Sequence, residues 1–261
     1  MFEKRFYYVF KIQYLGYRFH GWQKQPNLKT LHLMIDRTFK YILEGKRFKT
    51  LAAGRTDAMV SANEAAFELF LYHEIENETE FLEWFNYNLP QDIRALSIQK
   101  VDGNFNVIQH SKVKEYLYLF THGQKCHPFC APILSTILDP LDIELMKQGA
   151  KMFQGTHNFK TYCYKASENG VYDRTIIQSE IIENTMFTAN FFPEKTYAFK
   201  VKGQGFGRNQ VRMMMGALIQ LGKGDITVNF IEESLLPGNT HKINFIAPPS
   251  GLILNSIEFQ D

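Results

Sequence analysis

The chain has 261 residues, 45% of them hydrophobic, with 29 Lys and Arg against 27 Asp and Glu for a formal net charge of +2. That much apolar content supports one large domain or two ordinary ones and excludes a disordered chain. The near-neutral balance is compatible with nucleic acid without requiring it, because a basic patch fits on a nearly neutral molecule.

From Phe6 to Tyr14 the residues alternate, with Phe6, Tyr8, Phe10, Ile12 and Tyr14 on one side, which predicts a half-buried strand. Leu31, Met34, Ile35, Thr38, Phe39 and Ile42 then recur at helical spacing ahead of Gly45. Strand-like sequence returns around residues 54–58 and at 65–72, followed by a helix over 79–87 and a strand over 93–101. This is the β-α-β-β-α-β order of a ferredoxin-like half. The second half reads the same way: a strand over 116–121, a helix from Asp142 as N-cap to Phe153, and strands over 175–182 and 196–202. A long helix over 209–221 ends at Gly222, then come a short helix over 230–236 and a last strand over 252–259. The expected fold is therefore α+β. It has two ferredoxin-like halves, 1–110 and 111–261, whose mixed or antiparallel sheets flank a central cleft, with the linker at 104–114.

Three cysteines, Cys126, Cys130 and Cys163, are an odd number in a chain that needs no staples and imply a reducing compartment. The N-terminal residues lead straight into strand-like sequence without the apolar core of a signal peptide, and no apolar run approaches the ~20 residues that span a bilayer. A cytoplasmic protein without membrane partners is expected. Cys126, Cys130 and His122 raise zinc as a rival reading, but Cys-x3-Cys without a second pair suits buried loop cysteines better, so no metal is expected.

The most telling stretch is Gly54-Arg55-Thr56-Asp57-Ala58. On an extended segment Arg55 and Asp57 face the same way, and Gly54 permits a tight turn or close backbone approach, although the same residues also suit an ordinary surface turn. With Val60 and Ala62 after it, the stretch resembles the signature loop of the TruA-type tRNA pseudouridine synthases, which read Gly-Arg-Thr-Asp-Ala-Gly-Val-His-Ala there. Further segments resemble that family in the family's order and over nearly the whole chain. They are 19–25 (Phe-His-Gly-Trp-Gln-Lys-Gln), 88–93 (Asn-Leu-Pro-x-Asp-Ile), 114–118 (Lys-Glu-Tyr-Leu-Tyr), Gly155-x-His157-x-Phe159, Arg174-Thr175 and 205–216, with Val211-Arg212 and Gly216.

The resemblance implies an isomerase that cuts the N1–C1′ bond of uridine, turns the uracil and joins C5 to C1′. Composition is unchanged, so no cofactor is expected. It implies Asp57 as the catalytic carboxylate, acting either as base or as nucleophile. Tyr116 would stack on the uracil, while Tyr118, facing the same way, reads as support. Arg212, a lone cation on an apolar helix, requires a partner, which the resemblance makes Asp57. A stacked uridine must be extruded, and Arg55 is the residue implied to fill the vacated space. Arg18, Lys24 and Arg208 border matched motifs and are candidates for holding phosphates, ahead of Lys112, Lys114 and Lys223.

The implied substrate is tRNA, at positions 38–40 of the anticodon stem-loop in the family, or another structured RNA, and the bacterial family implies a homodimer. A paralogue with a different RNA target, or a noncatalytic RNA-binding or RNA-folding protein, is the alternative. Three departures bear on the target: Met59 and Ser61 stand where the family has Gly and His, and Ile108 where it has a basic residue. A left-handed Met would cost ~1–2 kcal/mol, so negative φ is expected at Met59.

Overall fold

A computed structural model describes residues 4–259, which fall into two units, 4–112 with 254–259, and 113–253. In the first unit the alternation of 6–14 becomes β1 (Phe6–Tyr14), whose Tyr8, Phe10, Ile12 and Tyr14 are buried. There follow α1 (Leu31–Ile42), β2 (Phe48–Ala52), β3 (Ser61–Leu71), α2 (Glu78–Asn88) and β4 (Ile93–Val101). Thr30 and Asn77 cap the two helices, accepting from the Leu33 and Glu80 N–H groups, and Gly45 ends the turn after α1 at φ +79°. The strands run β4-β1-β3-β2, all antiparallel, the ferredoxin-like order. Both helices press on an aromatic core in which Phe10 stacks on Phe67 at 5.0 Å and Phe39 on Phe85 at 4.3 Å.

Glu68 of β3 is fully buried on the opposite side of the strand from Phe67 and Leu69. One oxygen accepts from the Val107 N–H at 3.2 Å, and the other has no hydrogen-bond partner among the described residues. Burial pushes its carboxyl above the ordinary value, against the Val107 bond and the nearby His110 and Lys49. A carboxyl raised on folding favours the native state at low pH and loses that contribution as pH climbs through the folded-state value. Glu68→Gln is therefore expected to gain melting temperature relative to wild type as pH rises above the carboxylate range, with the two proteins converging in acid. A constant difference across pH would mean that Glu68 does not titrate on unfolding.

The second unit contains β5 (Ser111–His122), β6 (Ser135–Ile137), α3 (Ile143–Met152), β7 (Gly155–Asn158), β8 (Asp173–Glu183), β9 (Tyr197–Gly203), α4 (Gln210–Gly222) and α5 (Val228–Ser234). Strands β5-β9-β8-β7 are antiparallel neighbours, repeating the placement of β1-β3-β2, and β6 adds parallel to β5. Asp142 caps α3 as expected, accepting from Leu145 N–H at 2.9 Å. In α4 eleven of thirteen residues are buried, so its sequence is apolar nearly all round. The last strand, β10 (Leu252–Phe259), lies beside β3, where Asn63 donates to Asn255 at 3.2 Å. The chain is thus α+β, with extensive antiparallel sheet and few helices.

Strands β6 and β7 are absent from the sequence expectation, and β2 occupies Phe48–Ala52 rather than residues around 54–58. β6 and β7 are three and four residues long, too short for alternation to show, and Gly155-Thr156-His157-Asn158 has the composition of a turn. Register with β5 and β8, rather than local preference, makes them strands.

Candidate active site

Residues 54–60 join β2 to β3 as an irregular loop, not as the extended segment that the sequence suggested. The loop is nevertheless pinned from both sides. Thr56 is buried and its hydroxyl shares a 2.9 Å hydrogen bond with the Tyr14 hydroxyl, while its carbonyl accepts from Trp22 N–H at 3.1 Å. Tyr14 reaches that position beyond an irregularity in the β1–β3 ladder, where two steps along β1 oppose three along β3. On the other side Met59 N–H donates to Phe19 O at 3.0 Å, Val60 N–H to Asp57 O at 3.3 Å, and Gly16 N–H to Ser61 Oγ at 2.9 Å. Gly21, at φ +81°, comes so near that a Cβ there would lie 2.8 Å from Thr56 O. The result is a half-buried Asp57 between two buried neighbours, Thr56 and Val60, with Arg55 exposed beside it. Sequence reasoning named the acid but missed its scaffold, although Thr56 and the Gly21-Trp22 segment lie inside the quoted motifs.

The expectation for Met59 is corrected. Its φ is +65°, in the left-handed region, within the turn that Val60 N–H closes on Asp57 O and with its own N–H held by Phe19 O. Ser61 is buried and holds the Gly16 turn, whereas Ile108 is exposed. Left-handed backbone costs an L-residue about 1–2 kcal/mol, while glycine adds about 0.4–1 kcal/mol of unfolded-state freedom. Met59→Gly is therefore expected to stabilise the protein by up to about 1 kcal/mol in thermal melts. A loss of stability instead would show that packing of the Met59 side chain outweighs the backbone strain.

In the second unit Tyr116 lies on β5, paired with Val201 of β9, and its ring meets Phe206 edge-on at 5.1 Å. Tyr118 is fully buried, donating toward Ser135 Oγ at 2.8 Å and Pro248 O at 2.9 Å, and burial pushes its hydroxyl far above the usual range, in keeping with support. Arg212 projects from the first turn of α4. Its Nε donates to Ala247 O at 2.8 Å and NH1 to Asn209 Oδ1 at 3.2 Å, while Ala247 N–H donates back to Arg212 O at 3.1 Å. Asn209 itself is left-handed at φ +57° and makes no side-chain cap, so its amide serves the guanidinium rather than the helix end. This orientation by Asn209 and Ala247 was not anticipated, although Asn209 stands in the matched motif.

The phosphate candidates separate by what they already hold. Arg18 is engaged by Asp92 through two nitrogens, and Lys24 by Asp36. Asp36 also accepts from Thr50 at 2.6 Å. Lys223 pairs with Asp139 at 3.0 Å, and burial holds the Lys114 ammonium below the usual lysine range. Arg55 and Arg208 have no carboxylate partner among the described residues. Cys130 donates to Phe191 O at 3.3 Å and packs with Leu119, Leu134, Ala198 and Ile253, with Cys126 at the edge of that cluster. His122 accepts from Leu141 N–H at 3.0 Å. No group of three or more His, Cys, Asp or Glu positioned to hold a metal occurs among the described residues, and no helix among them is long and apolar enough to cross a membrane.

An α+β chain with a ferredoxin-like strand order and a pinned Gly-Arg-Thr-Asp loop has clear relatives. A family model described as tRNA pseudouridine synthase matches residues 150–260. The tRNA pseudouridine synthase A 2 of Bacillus thuringiensis subsp. konkukian is 30% identical over 258 residues, covering 97% of this chain and 99% of that protein, and that of Bacillus anthracis gives the same figures. The tRNA pseudouridine synthase A of Listeria monocytogenes serovar 1/2a is 29% identical over 250 residues, covering 95% and 97%. The chain belongs to the TruA-type tRNA pseudouridine synthase family and is an enzyme of the isomerase class.

Proposed function

We propose that this enzyme converts uridine to pseudouridine in the anticodon arm of tRNA, with Asp57 as its catalytic carboxylate. The observation that carries the reading is end-to-end similarity to tRNA pseudouridine synthases in a chain whose Gly54-Arg55-Thr56-Asp57 loop is intact and held rigidly. The reaction breaks N1–C1′, forms C5–C1′, and returns the proton lost from C5 to solvent while N1 gains one, so atoms and electrons balance without a redox partner. What it asks of the protein is a positioned carboxylate, a surface for the detached uracil and stabilisation of charge. Asp57 supplies the first, Tyr116 the second and Arg212 the third. Arg55, exposed beside the acid, fills the space of the extruded base, with Arg18, Lys24 and Arg208 toward the RNA backbone. Arg18 and Lys24 would first exchange Asp92 and Asp36 for phosphate. A cytoplasmic homodimer completes the reading.

The test is a pseudouridine map of cellular RNA with and without the gene. Loss confined to the anticodon arm of tRNA is expected, and an unchanged tRNA map with losses elsewhere would redirect the enzyme to another RNA.

A further inference from the structure

One exposed ring outside the matched motifs, Tyr164, lies against two cations that have no carboxylate partner among the described residues. Tyr164 lies in the turn after the short helical segment 160–162 and keeps 36% of its surface exposed. The Arg208 guanidinium lies over its ring at 5.2 Å and the Lys165 ammonium at 5.5 Å. Neither cation has a carboxylate within ion-pairing distance among the described residues, whereas Arg18, Lys24, Lys100, Lys147 and Lys223 all do. Both cations therefore remain available to an anion that reaches this ring.

The cluster is built rather than incidental. Tyr164 N–H donates to Arg208 O at 3.0 Å, tying the two turns together. Gly207 approaches Cys163 so closely that a Cβ would collide with its Sγ, and Gly207 N–H donates to Gln210 Oε1 at 2.6 Å. Lys165 holds left-handed backbone at φ +53°, a strained state for lysine. Arg208 stands four residues ahead of Arg212, at the entry to α4.

We infer that Tyr164, Arg208 and Lys165 form an RNA-backbone site that grips a single-stranded segment of the substrate, with the two cations toward phosphate and the exposed part of the ring against a base or ribose. The chemistry fits RNA because a planar ring offers a stacking face and the unpaired cations supply charge for phosphate. This inference rests on the reading that the enzyme acts on RNA, and it adds Tyr164 and Lys165 to the groups that position the substrate.

The experiment measures binding of an unmodified tRNA transcript to the full-length protein across a salt series, with melting temperature as the folding control. Each phosphate contact to a single strand contributes ~0.7 to the slope of log affinity against log salt, so the Arg208→Gln, Lys165→Gln double variant should lower the slope by ~1.4. Tyr164→Leu should weaken binding about tenfold with a nearly unchanged slope, and Tyr164→Phe should behave as wild type. Wild-type Kd and slope in both the double variant and Tyr164→Leu would overturn the site. Pseudouridine formation by wild type, measured in parallel, keeps the two readings apart. An active wild type with insensitive variants refutes the site alone, whereas tight, salt-sensitive binding without pseudouridine refutes the proposed reaction and supports the site.

Discussion

Asp57→Asn is expected to abolish pseudouridine formation, lowering the rate by ~10²–10⁴-fold or more, while tRNA affinity stays within a few-fold. The substitution keeps size and shape and removes only the charge and basicity of the side chain. The loop's anchors include the Tyr14–Thr56 bond, the Trp22 and Met59 backbone bonds and the Gly16–Ser61 bond, which the substitution leaves in place. Folding should therefore be preserved, and binding spread over several phosphates should be nearly so. Substantial turnover by a verified Asp57→Asn protein would remove Asp57 from the chemistry whichever of base or nucleophile it was taken to be.

Gly216→Ala is expected to be the most damaging single-methyl change in α4. An added Cβ would collide with the carbonyl oxygen of Phe245 and lie 3.0 Å from its carbonyl carbon, and backbone cannot swing aside as a flexible side chain can. Alanine gains about 1 kcal/mol over glycine in a helix interior, but overpacking against fixed atoms costs about 1–3 kcal/mol, so the clash wins. The 243–248 segment must move away, and with it Ala247, whose carbonyl holds Arg212 Nε at 2.8 Å and whose N–H meets Arg212 O at 3.1 Å. Lower melting temperature and reduced pseudouridine formation should therefore appear together. A stabilised, fully active Gly216→Ala protein would show that this close approach is not needed.

These residues also show how far the sequence could be read. The alternation in β1, the spacing in α1, the Asp142 cap and the apolar run of α4 are local signals, and each survives in the fold because tertiary packing agrees with it. Gly216 and Gly21 were visible as motif glycines, but their reason is a meeting with backbone 29 or more residues away, which no local pattern reveals. Separations of 74 and 12 residues likewise hid the Arg18–Asp92 and Lys24–Asp36 pairs, although Asp92 and Lys24 stand in matched segments and Arg18 borders one. Met59 misled because its side chain argues for negative φ while its backbone, tied to Phe19 O forty residues away, is left-handed, a case of tertiary structure overriding local preference. The Tyr164 cluster was illegible because Arg208 lies 44 residues along the chain from the ring it covers.

The most direct measurement is pseudouridine mapping on an unmodified tRNA transcript incubated with the purified protein alone, without added cofactor, beside the Asp57→Asn variant. Conversion of anticodon-arm uridines by the wild type and none by the variant at equal RNA occupancy is the expected result. Equal conversion by both proteins, or none by a wild type that binds the transcript, would contradict it.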